Sequence, residues 1–446
     1  MSSSAKLSRA AKDKYNEMVN MPVSVAILKL AFSTVPTMVI ISIYGIIDMI
    51  FISGLGDVAV GATGIVFSVT CFIQAVGYTF GMGAGSIVSG KLGEKSMQAA
   101  SRATTLALVA GVTAGAVICA VGLICVEPMM DMLGATEKNM DAAVSYARII
   151  LIGAPVMCGA YVANNTLRQE GRPWYTLCGI TAGGITNVIL DYLFIAVWDM
   201  GIKGAAWASV AGQAVSLVVL MLPYLTGKSI VRLSFTALKG ASDVHLWDII
   251  CMGMPSFIRQ ICVAIAAAAL NRACRLYGDE QIAAMAIANR IFNLFFSIAV
   301  GYGQSLAPVV GYSYGAGDKE MRIKKAVRFT VLSGASCMAA FEILQYIFAG
   351  DIAGFFEGSE EVLSLATEII RVTGIAYPFM VVSIVAGVLH QATGKYVAAS
   401  LIYGSRQGIF FIILIYLLPK LFDFAGVIFA QPAADIISAL ILLTFL

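Results

Sequence analysis

The sequence predicts an all-α integral membrane protein with twelve transmembrane helices in two pseudo-symmetric six-helix lobes. The lobes are expected to be related by an axis along the membrane normal. Three observations carry this expectation. Of 446 residues, 59% are hydrophobic and only 12% are charged, with a mean hydropathy of +0.87. A soluble domain carries about 25% charged residues, so most of this chain cannot face water. The apolar residues also come in runs long enough to span a bilayer, which takes about 20 residues. Finally, the second half of the chain repeats the first.

Met1 to Asn20 is polar and mildly amphipathic. It lacks an apolar core followed by a small-residue cleavage site, so no removable signal peptide is expected. Residues 1–24 are predicted to be a cytoplasmic segment. Apolar runs between charged or Gly/Pro breaks then lie near 25–52, 58–84, 98–125, 143–167, 174–197 and 204–226. After the basic connection 227–245 come 246–274, 281–310, 327–349, 362–389, 397–419 and 424–446. The runs are too long for strands and do not alternate, so each is predicted to be a helix.

Charge placement orients the helices. With connections assigned to alternate sides, one side holds 18 Lys and Arg, from Lys6 through Lys91, Lys95, Lys228 and Arg322 to Lys395. The other holds Lys138, Lys203, Arg275 and Lys420. The positive-inside rule puts both termini in the cytoplasm of a multi-pass cell-membrane protein. The basic residues thus report topology, and no nucleic-acid partner is expected. None of the nine cysteines forms a Cys-x-x-Cys pair, and all are expected to pack as small apolar residues.

The repeat is visible at an offset of 224: Ala75-Val76-Gly77-Tyr78 falls on Ala299-Val300-Gly301-Tyr302, and Gly93-Glu94-Lys95 on Gly317-Asp318-Lys319. Gly134-Ala135-Thr136-Glu137 falls on Gly358-Ser359-Glu360-Glu361, and Leu167-Arg168-Gln169 resembles Leu389-His390-Gln391 at an offset of 222. The chain therefore divides into an N-lobe, 25–226, and a C-lobe, 246–446. Six helices return the chain to its starting side, so the halves are parallel repeats. Such repeats mark secondary transporters, whose binding site lies between the halves.

Four acids interrupt the apolar runs: Asp48, Asp191, Glu342 and Asp435. A carboxylate at membrane depth costs roughly 2.5–3.5 kcal/mol even on the lenient insertion scale, so such residues usually face a cavity and handle a proton, an ion or a substrate. Asp191 falls near Leu414 or Ile415 in the other half, and this asymmetry points to function. Asn187 and Asp191 are four apart and share a helix face. Glu342 is expected to snorkel or to bond Gln345, and Asp435 to bridge helices. Arg259, Arg290, Arg371 and Arg406 are expected to pair with carbonyls or headgroups near helix ends. For substrate contacts we expect Tyr161, Asn164 and Asn165 on the fourth helix, with Gln260 and Gln304 opposite. An apolar cleft with a few polar or aromatic groups is what amphiphiles need.

Several apparent enzyme motifs fail. Gly85-Ser86-Ile87-Val88-Ser89-Gly90-Lys91 resembles a phosphate loop, but Leu92 stands where Ser or Thr is required, so no ATP is expected. Gly311-Tyr312-Ser313-Tyr314-Gly315 fits a nucleophile elbow, but no strand precedes it. His245 and His390 form no zinc pattern. No cofactor and no enzymatic activity are expected.

Many stretches taken in order resemble one family, the prokaryotic branch of the multidrug and toxic compound extrusion (MATE) transporters. They include Tyr44-Gly45-Ile46-Ile47-Asp48-Met49-Ile50-Phe51-Ile52, Leu167-Arg168-Gln169-Glu170-Gly171-Arg172-Pro173 and Asn187-Val188-Ile189-Leu190-Asp191-Tyr192. Gly204-Ala205-Ala206-Trp207-Ala208-Ser209, Pro255-Ser256-Phe257-Ile258-Arg259-Gln260 and Ala430-Gln431-Pro432-Ala433-Ala434-Asp435 continue the series. The resemblance implies two lobes around a central cleft. It also implies efflux of organic, often cationic, compounds against an inward H⁺ or Na⁺ gradient. The family's N-lobe cation site maps onto Asp48, Asn187, Asp191 and Ser209, a donor set that suits either a proton or Na⁺. Gly45 stands where Asn is common, Ser33 where Pro is usual, and Arg259, Gln260 and the residues after them supply no acid to the seventh helix. Small organic substrates and the bilayer are the expected partners of a monomer. The alternative is a flippase or exporter of a lipid-linked precursor or endogenous metabolite. Such folds usually have extra helices and a strongly cationic cavity, whereas this chain ends its twelfth helix at Leu446.

Overall fold

The structure is a computed structural model that describes residues 3–234, 244–317, 320–356 and 358–444. Much of the connection at 227–245, with Lys239, and the Asp318-Lys319 part of the repeat lie outside the described residues.

A helix α1 (Ser3–Asn20) precedes the bundle. The first half then runs α2 (Val23–Ser53), α3 (Asp57–Gly93), α4 (Met97–Ile124), a short α5 (Val126–Met132), α6 (Met140–Gln169), α7 (Pro173–Asp191) and α8 (Gly201–Leu225). The second half runs α9 (Leu246–Cys274), α10 (Asp279–Gly315), α11 (Glu320–Ile347), a short α12 (Ala349–Gly354), α13 (Glu360–Gly374), α14 (Tyr377–Ala392), α15 (Tyr396–Gly404), α16 (Phe411–Leu417) and α17 (Pro419–Leu443). Among the described residues eleven helices are long and apolar enough to span a membrane; α13 and α14, bent by 49° at their junction, make a twelfth if they are taken as one broken span. The break has a local cause. Gly374 ends α13, and Pro378 starts α14, where its missing N–H costs nothing. In the first half Pro155 sits inside an unbroken α6.

Each half carries a π turn in its fifth membrane helix, at Tyr192–Val197 and at Ser405–Phe410. Such turns are frequent at functional sites. One follows Asp191 directly, and the other contains Arg406.

The halves interlock reciprocally. The first membrane helix of each packs against the second of the other, α2 on α10 and α9 on α3, while α3 and α10 meet on the pseudo-axis. The contact is close enough to need glycine. A Cβ on Gly253 would lie 1.9 Å from the Thr79 carbonyl oxygen, and one on Gly83 would lie 2.0 Å from that of Ile249. Small residues let membrane helices approach this way.

Core packing shows how the lobes are disposed. One cluster joins both lobes and α1 at the basic end, through Met18, Leu30, Leu92, Leu167, Leu306, Val310 and Tyr312. At the other end the core splits. Ile52, Val66, Met130 and Ile150 belong to an N-lobe cluster, whereas Met285, Ile369, Phe411 and Val427 belong to a C-lobe cluster. The lobes are therefore sealed together at the basic end and separate toward the other.

Asp435 and Arg406 form an ion pair inside the C-lobe, 0% and 6% exposed. Gln431 donates to the same carboxylate at 3.1 Å, and the guanidinium lies 4.8 Å from the centre of the Phe296 ring. This corrects the expectation that Arg406 pairs with carbonyls or headgroups. The π turn points it inward, where only a carboxylate can neutralise it. Glu342 does not bond Gln345 either. The Gln345 amide donates to the Ile370 carbonyl at 2.7 Å and accepts from the Tyr377 hydroxyl at 2.8 Å. Asp435→Ala strands a buried cation and is expected to cost about 3–5 kcal/mol, whereas Arg406→Met combined with Asp435→Leu should cost less than either single change. Thermal unfolding in detergent checks the order of the three variants.

Candidate functional site

The N-lobe site is built on four helices. Asp48 lies in the last turns of α2, Asn187 and Asp191 one turn apart on α7, and Ser209 on α8. The carboxyl groups of Asp48 and Asp191 are neighbours. Asp191 is fully buried, and neither of its oxygens has a hydrogen-bond partner among the described residues. The same holds for the side-chain amide of Asn187 and for Oδ1 of Asp48. Tyr146 on α6 approaches Ser209 and both acids, and Tyr44 lies beside Asp48 and Gln213.

Asp48, Asn187, Ser209, Tyr44 and Tyr146 border a cavity of about 650 Å³, lined also by Gln74, Tyr161, Gln213 and Ser216, with Ala267 and Asn271 contributed by α9 of the C-lobe; Asp191 is not part of that lining. Among the described residues no lysine or arginine lines it. Two neighbouring carboxyl groups without a basic partner are costly unless a proton or cation intervenes. Carboxylate, amide and hydroxyl oxygens are the ligands hard cations take. Among the described residues no group of three or more His, Cys, Asp or Glu side chains could hold a metal ion, so a cation here would depend on Asn187 and Ser209 as well.

The expected substrate residues are dispersed. Tyr161 lines the cavity and packs against Tyr78 with ring centres 5.0 Å apart. Asn164 and Asn165 do not line it. Asn165 donates to the Tyr161 carbonyl at 2.7 Å and accepts from Arg168, and Asn164 is buried with its carbonyl oxygen unpartnered. Gln260 reaches across the lobes to Gln74 at 3.3 Å. Gln304 instead lines a second pocket, of about 30 Å³, with Ser256, Arg259, Phe296, Tyr403 and Arg406.

Sequence reasoning passed over Tyr44, Gln213 and Tyr146. The first two were findable, because Tyr44 precedes Asp48 by four residues and Gln213 follows Ser209 by four, the spacing of one helix face. Tyr146 had no such neighbour. Its place depends on how α6 packs on α8.

Comparison with known proteins places the chain as a whole. The MatE family profile matches residues 34–193 and 255–417, more than half of the chain. Multidrug export protein MepA of Staphylococcus saprophyticus is 24% identical over 406 residues, covering 89% of this chain and 88% of the relative. MepA of Staphylococcus aureus shows the same identity and coverage. Among solved structures, a MATE crystal structure in complex with MaL6 superposes with a TM-score of 0.91 at 21% identity, covering 97% of both chains. An outward-facing multidrug resistance MATE family transporter of the MOP superfamily gives 0.90 at 21% identity, covering 96% of both. With its two interlocked six-helix lobes and membrane-spanning helices, this chain belongs to the MatE family of membrane transporters.

Proposed function

We propose that the protein is a cation-coupled antiporter, driven by H⁺ or Na⁺, that exports organic, often cationic or amphiphilic, compounds by alternating access. It is read as a transporter and not an enzyme. The carrying observation is the unpartnered Asp48–Asp191 pair beside a cavity walled by both lobes. The relatives named for multidrug export support the substrate class. With both termini and the basic connections in the cytoplasm, the sealed end is cytoplasmic and the cavity belongs to an outward-facing state.

In this scheme a proton or Na⁺ from outside binds between Asp48, Asn187, Asp191 and Ser209. It relieves carboxylate repulsion and draws α2 toward α7. Pro36 and Gly45 are the places where α2 can bend. Pro36 lacks one helix hydrogen bond, and Gly45 has no neighbour within 4 Å of where a Cβ would sit. A ligand shifts the equilibrium only by its different affinity for the two states. Competition between cation and substrate for the N-lobe cavity supplies that difference.

The test is transport by purified protein in proteoliposomes. An imposed inward H⁺ or Na⁺ gradient is expected to drive ethidium movement, and ethidium in turn to stimulate cation flux. Ethidium movement indifferent to both gradients would exclude the coupling.

A further inference from the structure

The second pocket carries charge of the opposite sign. Arg168, on α6, is 2% exposed. One terminal nitrogen donates to Asn165 and approaches the Met82 sulfur at 3.3 Å, while Nε and the other terminal nitrogen have no partner among the described residues. Met82 lines the second pocket, so Arg168 stands just behind its wall. Arg259, on α9, lines the pocket directly, with its guanidinium 5.9 Å from the ring centres of both Tyr78 and Tyr403. The two arginines are close enough to repel, and Tyr78 neighbours both. Among the described residues neither takes part in an ion pair. The remaining arginine of the pocket, Arg406, is neutralised by Asp435. Among the described residues no carboxylate lines the pocket.

An arginine kept only for packing would be expected to satisfy its donors. A buried guanidinium with free N–H groups, beside a second cation, is costly unless an anion joins them. Guanidinium is the group of choice for carboxylate and phosphate, because its planar fork can donate two parallel hydrogen bonds. The aromatic walls of Tyr78, Tyr403 and Phe296 suit an apolar body attached to such a head. The pocket, at about 30 Å³, admits a head group and not a whole drug, since a single water already needs roughly 10–15 Å³.

We propose that Arg168 and Arg259 form an oxyanion site between the lobes, and that the compounds this protein moves include amphiphiles bearing a carboxylate, sulfonate or phosphate. A zwitterion would be served at both ends, its cationic group by the acidic N-lobe cavity and its oxyanion by the arginines. The substrate claim rests on the export reading above; the binding claim does not.

The test is equilibrium binding to the full-length protein in an uncharged detergent, read by fluorescence polarisation with carboxyfluorescein as the anionic probe and ethidium as the cationic one. Arg168→Gln and Arg259→Gln are expected to weaken carboxyfluorescein by about tenfold or more, the scale of one charge-assisted hydrogen bond, while leaving ethidium within about twofold. Arg259→Lys should retain most of the carboxyfluorescein affinity. Arg259 is only half-buried, so its variants keep the test valid if Arg168→Gln fails to fold. A lipid source is tested separately, by dithionite access to fluorescently labelled phosphatidylglycerol in phosphatidylcholine proteoliposomes. Arginine-dependent lipid movement without carboxyfluorescein binding would assign the site to a lipid headgroup. The proposal is overturned if neither anion is bound or moved, or if the glutamine variants handle both like the unaltered protein. Loss of gradient-driven ethidium transport with anion binding intact would instead count against the export reading alone.

Discussion

Asp191→Asn is expected to abolish gradient-driven export while the protein still inserts and folds. Asp191 is the only member of the N-lobe site that is an acid, fully buried and free of any protein partner on both oxygens. An amide in its place cannot take up a proton or balance a cation. Removing one partner of a buried charge interaction costs roughly 3–5 kcal/mol, which corresponds to a loss of more than about a hundredfold in cation affinity. Insertion should not suffer, since a neutral side chain crosses hydrocarbon more easily than a carboxylate. The measurement pairs ethidium efflux under an imposed gradient with thermal unfolding in detergent. Undiminished coupled efflux by a folded variant would remove Asp191 from the mechanism. Asp48→Asn is the companion variant. Asp48 is only half-buried, so water can replace part of its contribution, and a smaller loss is expected.

Gly253→Val is expected to invert the balance between the two access states. The seal at the basic end depends on backbone contact between α3 and α9, and the Thr79 carbonyl occupies the space a Cβ would need at Gly253. A branched side chain there forces the helices apart. Overpacking of this kind typically costs about 1–3 kcal/mol, and it falls on the sealed state alone, because the lobes separate at this contact in the other. A bias of about 2.7 kcal/mol is a hundredfold change in population, enough to make a minor state the major one. Spin labels at Lys138 in the N-lobe and Glu361 in the C-lobe, introduced without the nine native cysteines, report the opposite end. Their separation should shrink in the variant as that end closes. An unchanged distance distribution with an unchanged melting temperature would show that the contact does not hold the seal.

The legibility of the site varied with the range of the interaction involved. Asn187 and Asp191 could be placed on one face from their spacing alone, because a helix fixes the relation of residues four apart. The meeting of Asp48 with Asp191 was an inference from composition and resemblance. Between them in the chain lie α3, α4, α5 and α6, whose packing no local pattern describes. Asn165 shows the opposite case. Its spacing from Tyr161 was right for a shared face, yet its amide is taken up by the Tyr161 carbonyl and by Arg168. A polar residue facing a cleft and one facing a neighbouring side chain look alike in sequence.

What the amino-acid sequence determined by itself was the solvent and the helices, with their sidedness an expectation. Hydrocarbon admits only segments that satisfy their own backbone, so length and apolarity mark each span, and Lys and Arg mark the side on which its ends remain. The repeat added the two lobes. Only the tertiary structure decided which charges are neutralised and which are left waiting. Arg406 finds Asp435 inside the C-lobe, whereas Asp48, Asp191 and Arg168 keep buried polar atoms without partners. That distinction lies in contacts between helices far apart in the chain. The energy of a buried charge is set by what stands within a few ångströms of it, not by its neighbours in sequence.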